Sequence, residues 1–191
     1  MELAGAVLKG VIFNLLEELV SRHRGEATWD SMLRTAGVDG SYTSLGSYPD
    51  DDLVRLVRAA SAEMGWSVPE TLRWFGRESM PLLADRYPQF FTPHVTTRAF
   101  LLTLNNIIHA EVRKLYPGAH VPVFDFDTSS PELLVVGYCS ERRMCALAQG
   151  FTEGAADYFE ETVAFEHAAC THRGDSKCVF HLRFSAHPPP R

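Results

Sequence analysis

The sequence lacks an apolar run long enough to cross a membrane or to serve as an export signal. Its N-terminal stretch MELAGAVLKGVIFNLLEELV is partly apolar, but charged residues interrupt it at Glu2, Lys9, Glu17 and Glu18. No small-residue cleavage site follows a continuous apolar segment. This pattern predicts neither a signal peptide nor a membrane span.

Basic charge and cysteine are also scarce. The 191 residues include 18 Lys and Arg against 24 Asp and Glu, a formal net charge of −6, and only 4 Cys. Nucleic-acid-binding domains usually carry a basic excess, so DNA and RNA are not expected partners. Few cysteines without an export signal are typical of a cytoplasmic protein whose thiols are reduced or bind a metal.

What is present fits one globular domain. A chain of this length, 46% hydrophobic, can bury a core and enclose a cofactor. We predict a single domain over 1–184, with a helical part over about 1–70, a mixed part over about 71–184 and a flexible tail over 185–191.

Hydrophobic periodicity and turn residues predict helices in the first half of the chain and mainly strands in the second. Helices are expected over 8–23, 28–36, 50–64, 68–86, 96–116 and 143–160. Strands are expected in the segments VPVFDFD, ELLVVGYCS, TVAFEH and KCVFHLRFS. This order indicates an α+β fold whose antiparallel sheet is carried by the C-terminal part.

One histidine lies on a candidate inward face of the long helix AFLLTLNNIIHAEVRKLY. His109 shares that face with Leu102, Asn105, Val112 and Tyr116, and a second face is wholly apolar. The helix is therefore expected to be buried on two sides, with His109 facing the interior or a cleft. On this pattern alone a core histidine is the favoured interpretation, and a metal ligand is the alternative.

Tyr138, Ser140 and Arg142 alternate within VVGYCSERRMC. On an extended strand alternate side chains point to one face, so two hydroxyls and a guanidinium would converge there while Cys139 faces away. Together with a neutral imidazole, such donors suit a cofactor that carries an iron and two carboxylates. An ordinary solvated strand face would give the same alternation.

The combination of FLLTLNNIIHAEV with a later YxSxR motif resembles the haem nitric oxide/oxygen binding (H-NOX) family. The likeness extends from LKGVIFNLLEELV through ATWD and RWFGRE to RFSAH, nearly the whole chain. It implies an N-terminal helical subdomain packed on a four-stranded antiparallel sheet, with haem b buried between them.

The resemblance also implies roles for particular residues. His109 is expected to be the axial ligand of the haem iron, and Tyr138, Ser140 and Arg142 to bind the propionates. Pro122 is expected to press on the porphyrin and keep it non-planar, although a proline is also ordinary where a strand begins.

The gas that is bound is predicted from the same resemblance. Family members that hold oxygen place a tyrosine five residues after the YxSxR arginine, and in this sequence Leu147 stands there. An apolar distal pocket is expected from Ile12, Leu16, Leu147 and Phe151, and Tyr158 is too far along its helix to supply the missing hydroxyl. Ferrous haem binds NO, and also CO, without a hydrogen-bond donor, whereas bound oxygen gains from one. We expect an NO sensor that disfavours oxygen, while plain core packing would also account for Leu147 and Phe151.

Cys145, His167, Cys170 and Cys178 offer three thiols and one imidazole. This composition suits tetrahedral zinc, but the spacing is not that of a standard zinc knuckle, and reduced thiols are the alternative. The resemblance favours structural zinc, because some bacterial H-NOX proteins carry such a site with this ligand order. Cys139 is then left over, and His172 is a competing ligand.

By resemblance the protein is a sensor and not an enzyme. NO is expected to weaken the bond between iron and His109, so that the helix of His109 shifts and a separate partner, such as a histidine kinase or a cyclic-di-GMP enzyme, reads the change.

Three other functions stay open. EHAACTHRGDSKCVF resembles the vinyl-reductase-like small-ligand sensor domains. A zinc-held interaction module without haem would explain the cysteines alone. A haem enzyme would need a distal acid/base pair, which the sequence does not offer.

Overall fold

The computed structural model describes residues 7–186, which form helices α1–α7 and strands β1–β6. In chain order they are β1 (Val7–Lys9), α1 (Gly10–Arg24), α2 (Glu26–Ala36), β2 (Ser47–Pro49), α3 (Asp50–Met64), α4 (Val68–Arg86), α5 (Thr97–Leu101), α6 (His109–Leu115), β3 (Val123–Asp127), β4 (Leu134–Cys139), α7 (Cys145–Tyr158), β5 (Glu161–Ala169) and β6 (Cys178–Ala186). The α+β prediction is confirmed. Residues 185 and 186 belong to β6, and the rest of the predicted tail lies outside the described residues.

The main sheet is antiparallel and has four strands in the order β3-β4-β6-β5. Its inner face carries alternate apolar side chains, including Tyr138 opposite Cys178 and Val136 opposite Phe180. A second sheet was not predicted: β1 pairs with β2, with Val7 opposite Pro49. The predicted first helix therefore begins later, at Gly10, because Val7–Lys9 pair as a strand.

Two hydrophobic cores lie side by side. One is formed by α1, α2, α3 and one side of α4, with Phe13, Leu16 and Leu56 fully buried. The other lies between the inner sheet face, the end of α4, α5 and α7, with Leu134 and Phe180 at its centre. Because α4 contributes to both cores, it joins the helical part to the sheet part.

Helices α4 and α7 approach each other closely, because glycines line their contact. A Cβ atom at Gly150 would lie 2.0 Å from the Arg73 carbonyl oxygen, and one at Gly76 would lie 2.5 Å from the Leu147 carbonyl oxygen. Such contacts exclude any side chain. On the flank of the pair, the Arg73 Nε atom donates to Glu153 at 2.6 Å. The two helices therefore form a rigid unit beside the sheet.

The predicted long helix over 96–116 is not continuous. It consists of α5, a π-helical turn over Leu104–Ile108, and α6, and the N–H of His109 donates to the Leu104 carbonyl. Side chains compete with the regular helical bonds at this break: the Thr103 hydroxyl donates to the Phe100 carbonyl at 2.7 Å. The prediction of one helix was wrong at the residues directly before His109, where π-bulges in other proteins often mark functional sites.

No helix within residues 7–186 is both long and apolar enough to cross a membrane.

Candidate functional site

An apolar cavity lies where the N-terminal helices meet the sheet. It has a volume of about 310 Å³ and is enclosed by the start of α1, the second half of α4, the segment from α5 to α6, the inner sheet face and α7. Its few polar side chains include those of His109, Tyr138, Ser140 and Arg142. A largely apolar pocket with a small number of polar groups is the usual form of a cofactor or small-molecule site.

His109 begins α6 and lines this cavity. Its pKa is lowered from 6.5 to about 4, first by burial and then by the Arg113 guanidinium, while the Pro122 carbonyl acts in the opposite direction. That carbonyl does not fully satisfy the ring, because Nδ1 has no hydrogen-bond partner of normal geometry among the described residues. The imidazole is therefore neutral at neutral pH, which is the form that binds a metal.

Tyr138, Ser140 and Arg142 all line the cavity, but they do not share one strand face as predicted. Strand β4 ends at Cys139, and a turn follows in which the N–H of Arg143 donates to the Ser140 carbonyl at 3.1 Å. Arg143 has a φ of 52°, which an extended strand does not allow. The turn, and not strand alternation, therefore brings the Arg142 side chain to the cavity.

The Arg142 guanidinium joins three separate segments of the chain. Its Nε atom lies 2.7 Å from an Asp50 carboxylate oxygen. Its terminal nitrogens donate to the carbonyl of Val7, at 2.7 Å, and to the carbonyl of His120. The Arg142 and Asp50 side chains are only 10% and 15% exposed. This ion pair thus connects the cavity to β1 and to the start of α3.

Sequence reasoning missed this role of Asp50, which is the first residue of α3. A run of acidic residues at a helix start is ordinary, because it complements the helix dipole. Nothing in the sequence distinguishes Asp50 from Asp51 and Asp52, so the sequence alone could not predict which of them pairs with Arg142.

Three of the four residues predicted to form the distal pocket lie on the cavity wall. Ile12, Leu147 and Phe151 line the cavity, as does Pro122. Leu16 does not: it is fully buried in the N-terminal core, and the prediction that it lines the pocket was wrong. Helix α1 borders the cavity only in its first turn and then leads away, so a residue one turn beyond Ile12 packs against the other helices.

Two residues whose hydroxyls could have been donors in the distal pocket, Ser79 and Tyr158, do not reach the cavity. Ser79 is fully buried and donates to the Phe75 carbonyl at 2.6 Å. Tyr158 is 40% exposed and packs against Phe91, with ring centroids 5.1 Å apart. Neither is among the residues that line the cavity.

Tyr87 and Tyr116 line the cavity and were not predicted as a pair. Their hydroxyl oxygens are 2.7 Å apart, so one donates to the other. Burial, followed by the bond to Tyr87, raises the pKa of Tyr116 to about 12. The pair ties the residue after α6 to the residue after α4, and so fixes the far end of the His109 segment.

Three sulfurs and one imidazole form a second site beside the cavity. The candidate ligand atoms of Cys145, His167, Cys170 and Cys178 all lie within 4.8 Å of one another. The Sγ atoms of Cys145 and Cys170 are 3.9 Å apart, and His167 Nε2 is buried without a hydrogen-bond partner among the described residues. Burial and the neighbouring sulfurs raise the pKa of Cys145 to about 12. A thiolate there would need a cation.

The two residues that the sequence left open are outside this cluster. Cys139 is exposed at the end of β4. The Nε2 atom of His172 is 2.7 Å from the Arg143 carbonyl oxygen, and this contact occupies that ring nitrogen.

The known proteins that this chain resembles belong to one family. The family model described as Haem-NO-binding matches residues 9–167. An H-NOX protein from S. oneidensis in the Fe(II)NO ligation state is 27% identical, with a TM-score of 0.88 over 93% of this chain and 99% of that chain. The IWP-051-bound H-NOX from Shewanella woodyi in the Fe(II)CO ligation state is 29% identical, with a TM-score of 0.80 over 95% of each chain.

A mutant of the unliganded Fe(II) H-NOX protein from K. algicida is 25% identical, with a TM-score of 0.82 over 93% of this chain and 97% of that chain. Among curated proteins, none matches the sequence.

The Asp50→Asn variant is expected to lower the free energy of unfolding by about 3 kcal/mol, because it leaves a largely buried guanidinium without its counter-charge. Asp51→Asn is the matched control: it removes the same charge from the same helical turn, but at an exposed position. Its cost should stay below about 1 kcal/mol. Urea unfolding of the purified protein measures both, and equal costs would contradict a stabilising role for the Arg142 ion pair.

Proposed function

The chain belongs to the Haem-NO-binding family, and on that premise we propose that it holds haem b in the apolar cavity and senses NO in preference to oxygen. Domains of this family are haem-based gas sensors and not enzymes. The observation that carries the proposal is His109: a neutral imidazole on the wall of an apolar cavity, whose Nδ1 atom is buried and has no hydrogen-bond partner among the described residues.

The residues of the cavity fit a haem. When bound, its ferrous iron supplies the site at which a diatomic gas binds. His109 would ligate the iron, and the apolar wall would receive the porphyrin, with Pro122 among the residues against it. Tyr138, Ser140 and Arg142 would hold the propionates, and the proposal is supported by the chemistry of the guanidinium, which already lies 2.7 Å from one carboxylate oxygen, that of Asp50.

Preference for NO is supported by the wall that α1 and α7 form. The side chains of Ile12, Leu147 and Phe151 offer no donor to a bound gas. Among the described residues on this wall, the one hydroxyl is that of Thr152, and it donates to the Ala148 carbonyl at 2.9 Å. Oxygen would therefore lack the hydrogen bond that stabilises its charge-separated complex, whereas NO does not need it.

Signalling is proposed to pass through the segment that carries His109. A change at the imidazole would move this segment, and a partner would read the movement. Exposed apolar side chains support a contact surface there: Leu102 is 36% exposed, Ile107 51% and Leu115 49%. By family resemblance the partner is a histidine kinase or a cyclic-di-GMP enzyme.

Structural zinc is proposed for the cluster of Cys145, His167, Cys170 and Cys178. A tetrahedral zinc with bonds of about 2.3 Å to sulfur places two sulfurs about 3.8 Å apart, and the observed separation of Cys145 and Cys170 is 3.9 Å. The N–H of Thr171 also donates to Cys178 Sγ at 3.4 Å, as expected around a thiolate ligand. Reduced thiols held by a metal fit the cytoplasm.

The reduced holoprotein is expected to show a haem absorption spectrum that air leaves unchanged and NO shifts. His109→Ala should abolish the iron–histidine band in the resonance Raman spectrum, because the axial nitrogen is lost. His181→Ala, on the outer sheet face beside Glu166, is the matched control and should keep the band. A colourless protein with full zinc content would contradict the proposal and favour a zinc-held interaction module.

The Leu147→Tyr variant is expected to bind oxygen about fivefold to tenfold more tightly than the wild type, because one hydrogen bond to the bound gas is worth about 1 to 1.5 kcal/mol. Leu147→Phe adds a ring of similar size without the hydroxyl and should show no such gain. Oxygen titration of the reduced protein gives both affinities. A wild-type protein that already forms a stable oxygen complex would overturn the proposed selectivity.

Metal analysis of freshly reduced protein is expected to find one zinc ion per chain if the cluster forms a closed tetrahedral site. Cys178→Ser should lose the zinc and destabilise the protein, since the cluster joins α7 to β5 and β6. Cys139→Ser removes an exposed cysteine outside the cluster and should retain both zinc and stability. Equal metal content in the two variants would contradict the assignment.

A further inference from the structure

We propose that Asn105 is a positioning residue for His109. By this inference its side-chain amide ties the irregular turn that precedes His109 to the backbone of Phe124, and thereby limits how far the imidazole can move. The inference rests on the proposed role of His109 as the haem ligand, and it assigns a separate residue to the control of that ligand.

The amide of Asn105 makes two hydrogen bonds to a single residue of β3. Its Nδ2 atom donates to the Phe124 carbonyl at 2.5 Å, and its Oδ1 atom accepts from the Phe124 N–H at 3.2 Å. Strand β3 lies at the edge of the sheet, so these backbone groups have no neighbouring strand on that side. In an antiparallel pair alternate residues turn both groups outward, and the Asn105 amide occupies such a pair as a further strand would.

Few other contacts hold this part of the chain. No residue of the π-helical turn Leu104–Ile108 or of α6 is fully buried. The neighbouring parts are fixed more firmly: a Glu161 carboxylate oxygen accepts from the N–H of Thr97 at 2.7 Å, and Tyr116 is hydrogen-bonded to Tyr87. Between these two attachments, the Asn105 amide is the anchor nearest to His109.

Phe124, the residue that Asn105 binds, also contacts the imidazole of His109. The rings of Phe124 and His109 have centroids 5.8 Å apart and are inclined by 30°. Asn105 therefore fixes the backbone of the same residue whose ring packs against His109. Without the two hydrogen bonds, the turn could slide along the edge strand and carry His109 with it.

Side-chain chemistry at position 105 is specific. An asparagine offers one donor and one acceptor at the spacing that an outward backbone pair requires, whereas leucine offers neither and aspartate lacks the donor. Asn106 has the same side chain on the same turn but is exposed. The chain thus supplies its own matched control.

The test compares Asn105→Leu with Asn106→Leu in the haem-loaded, reduced protein. In Asn105→Leu the amide hydrogen of Phe124 should exchange about fivefold to tenfold faster, as the loss of one hydrogen bond predicts. The iron–histidine Raman band should broaden, because the imidazole samples more positions. After NO addition, the fraction of protein in which His109 remains coordinated should rise, because the freed segment can follow the ligand.

The Asn106→Leu variant should match the wild type in all three measurements. If Asn105→Leu does not fold, Asn105→Asp keeps the size of the side chain and the oxygen that accepts from the Phe124 N–H, and removes only the donor. It should change the Raman band and the fraction of coordinated His109 in the same direction, while the exchange of the Phe124 amide hydrogen stays near that of the wild type. A wild type without an iron–histidine band would contradict the proposed function. A wild-type band that neither position 105 variant alters would overturn the inference about Asn105 alone.

Discussion

A single guanidinium on the cavity wall joins three distant segments of the chain. Arg142 contacts the Asp50 carboxylate, the carbonyl of Val7 and the carbonyl of His120, which belong to three distant parts of the chain. A charge this deeply placed would be costly without partners, so the docking of the N-terminal helices and the ordering of the turn after β4 depend on each other. The cavity wall at Arg142 and the contact between the helical part and the sheet part are thus one structure.

The two sides of the cavity differ in stiffness for reasons visible in their packing. On one side, α4 and α7 touch backbone to backbone through Gly76 and Gly150, and ion pairs such as Arg77–Asp157 flank the contact. On the other, the segment from Leu104 to Leu115 has no fully buried side chain. A ligand that pulls on both walls would displace the second and leave the first in place. The wall that α4 and α7 form is therefore the more constrained of the two, and the wall that carries His109 is the less constrained.

Local sequence signals predicted most elements because those elements agree with their own propensities. Helices α3 and α4 begin and end where periodicity and turn residues predicted, and the structure adds a capping box of Ser67 and Glu70 at the start of α4. The predictions that failed concern features that depend on tertiary contacts. Periodicity alone predicts ordinary helix at the turn that contains Asn105, because the bond from Asn105 to the edge strand β3 is not visible in the sequence. The pairing of β1 with β2 likewise depends on a contact between residues far apart in sequence. Leu16 and Ile12 carry the same helical signal, and only the course of α1 past the cavity separates them.

The two candidate sites are physically continuous. The ring of Phe124 packs against His109 on one side and against Tyr138 on the other, with centroids 5.8 Å and 5.6 Å away. Tyr138 stacks on Phe180, and Phe180 contacts His167 at 4.9 Å. Helix α7 connects the two sites a second time, because it begins with Cys145 of the cluster and its residues Leu147 and Phe151 line the cavity. Contact alone does not establish energetic coupling. The cluster on α7, β5 and β6 is thus linked by direct contacts to one wall of the cavity and to the strand that lies beside His109.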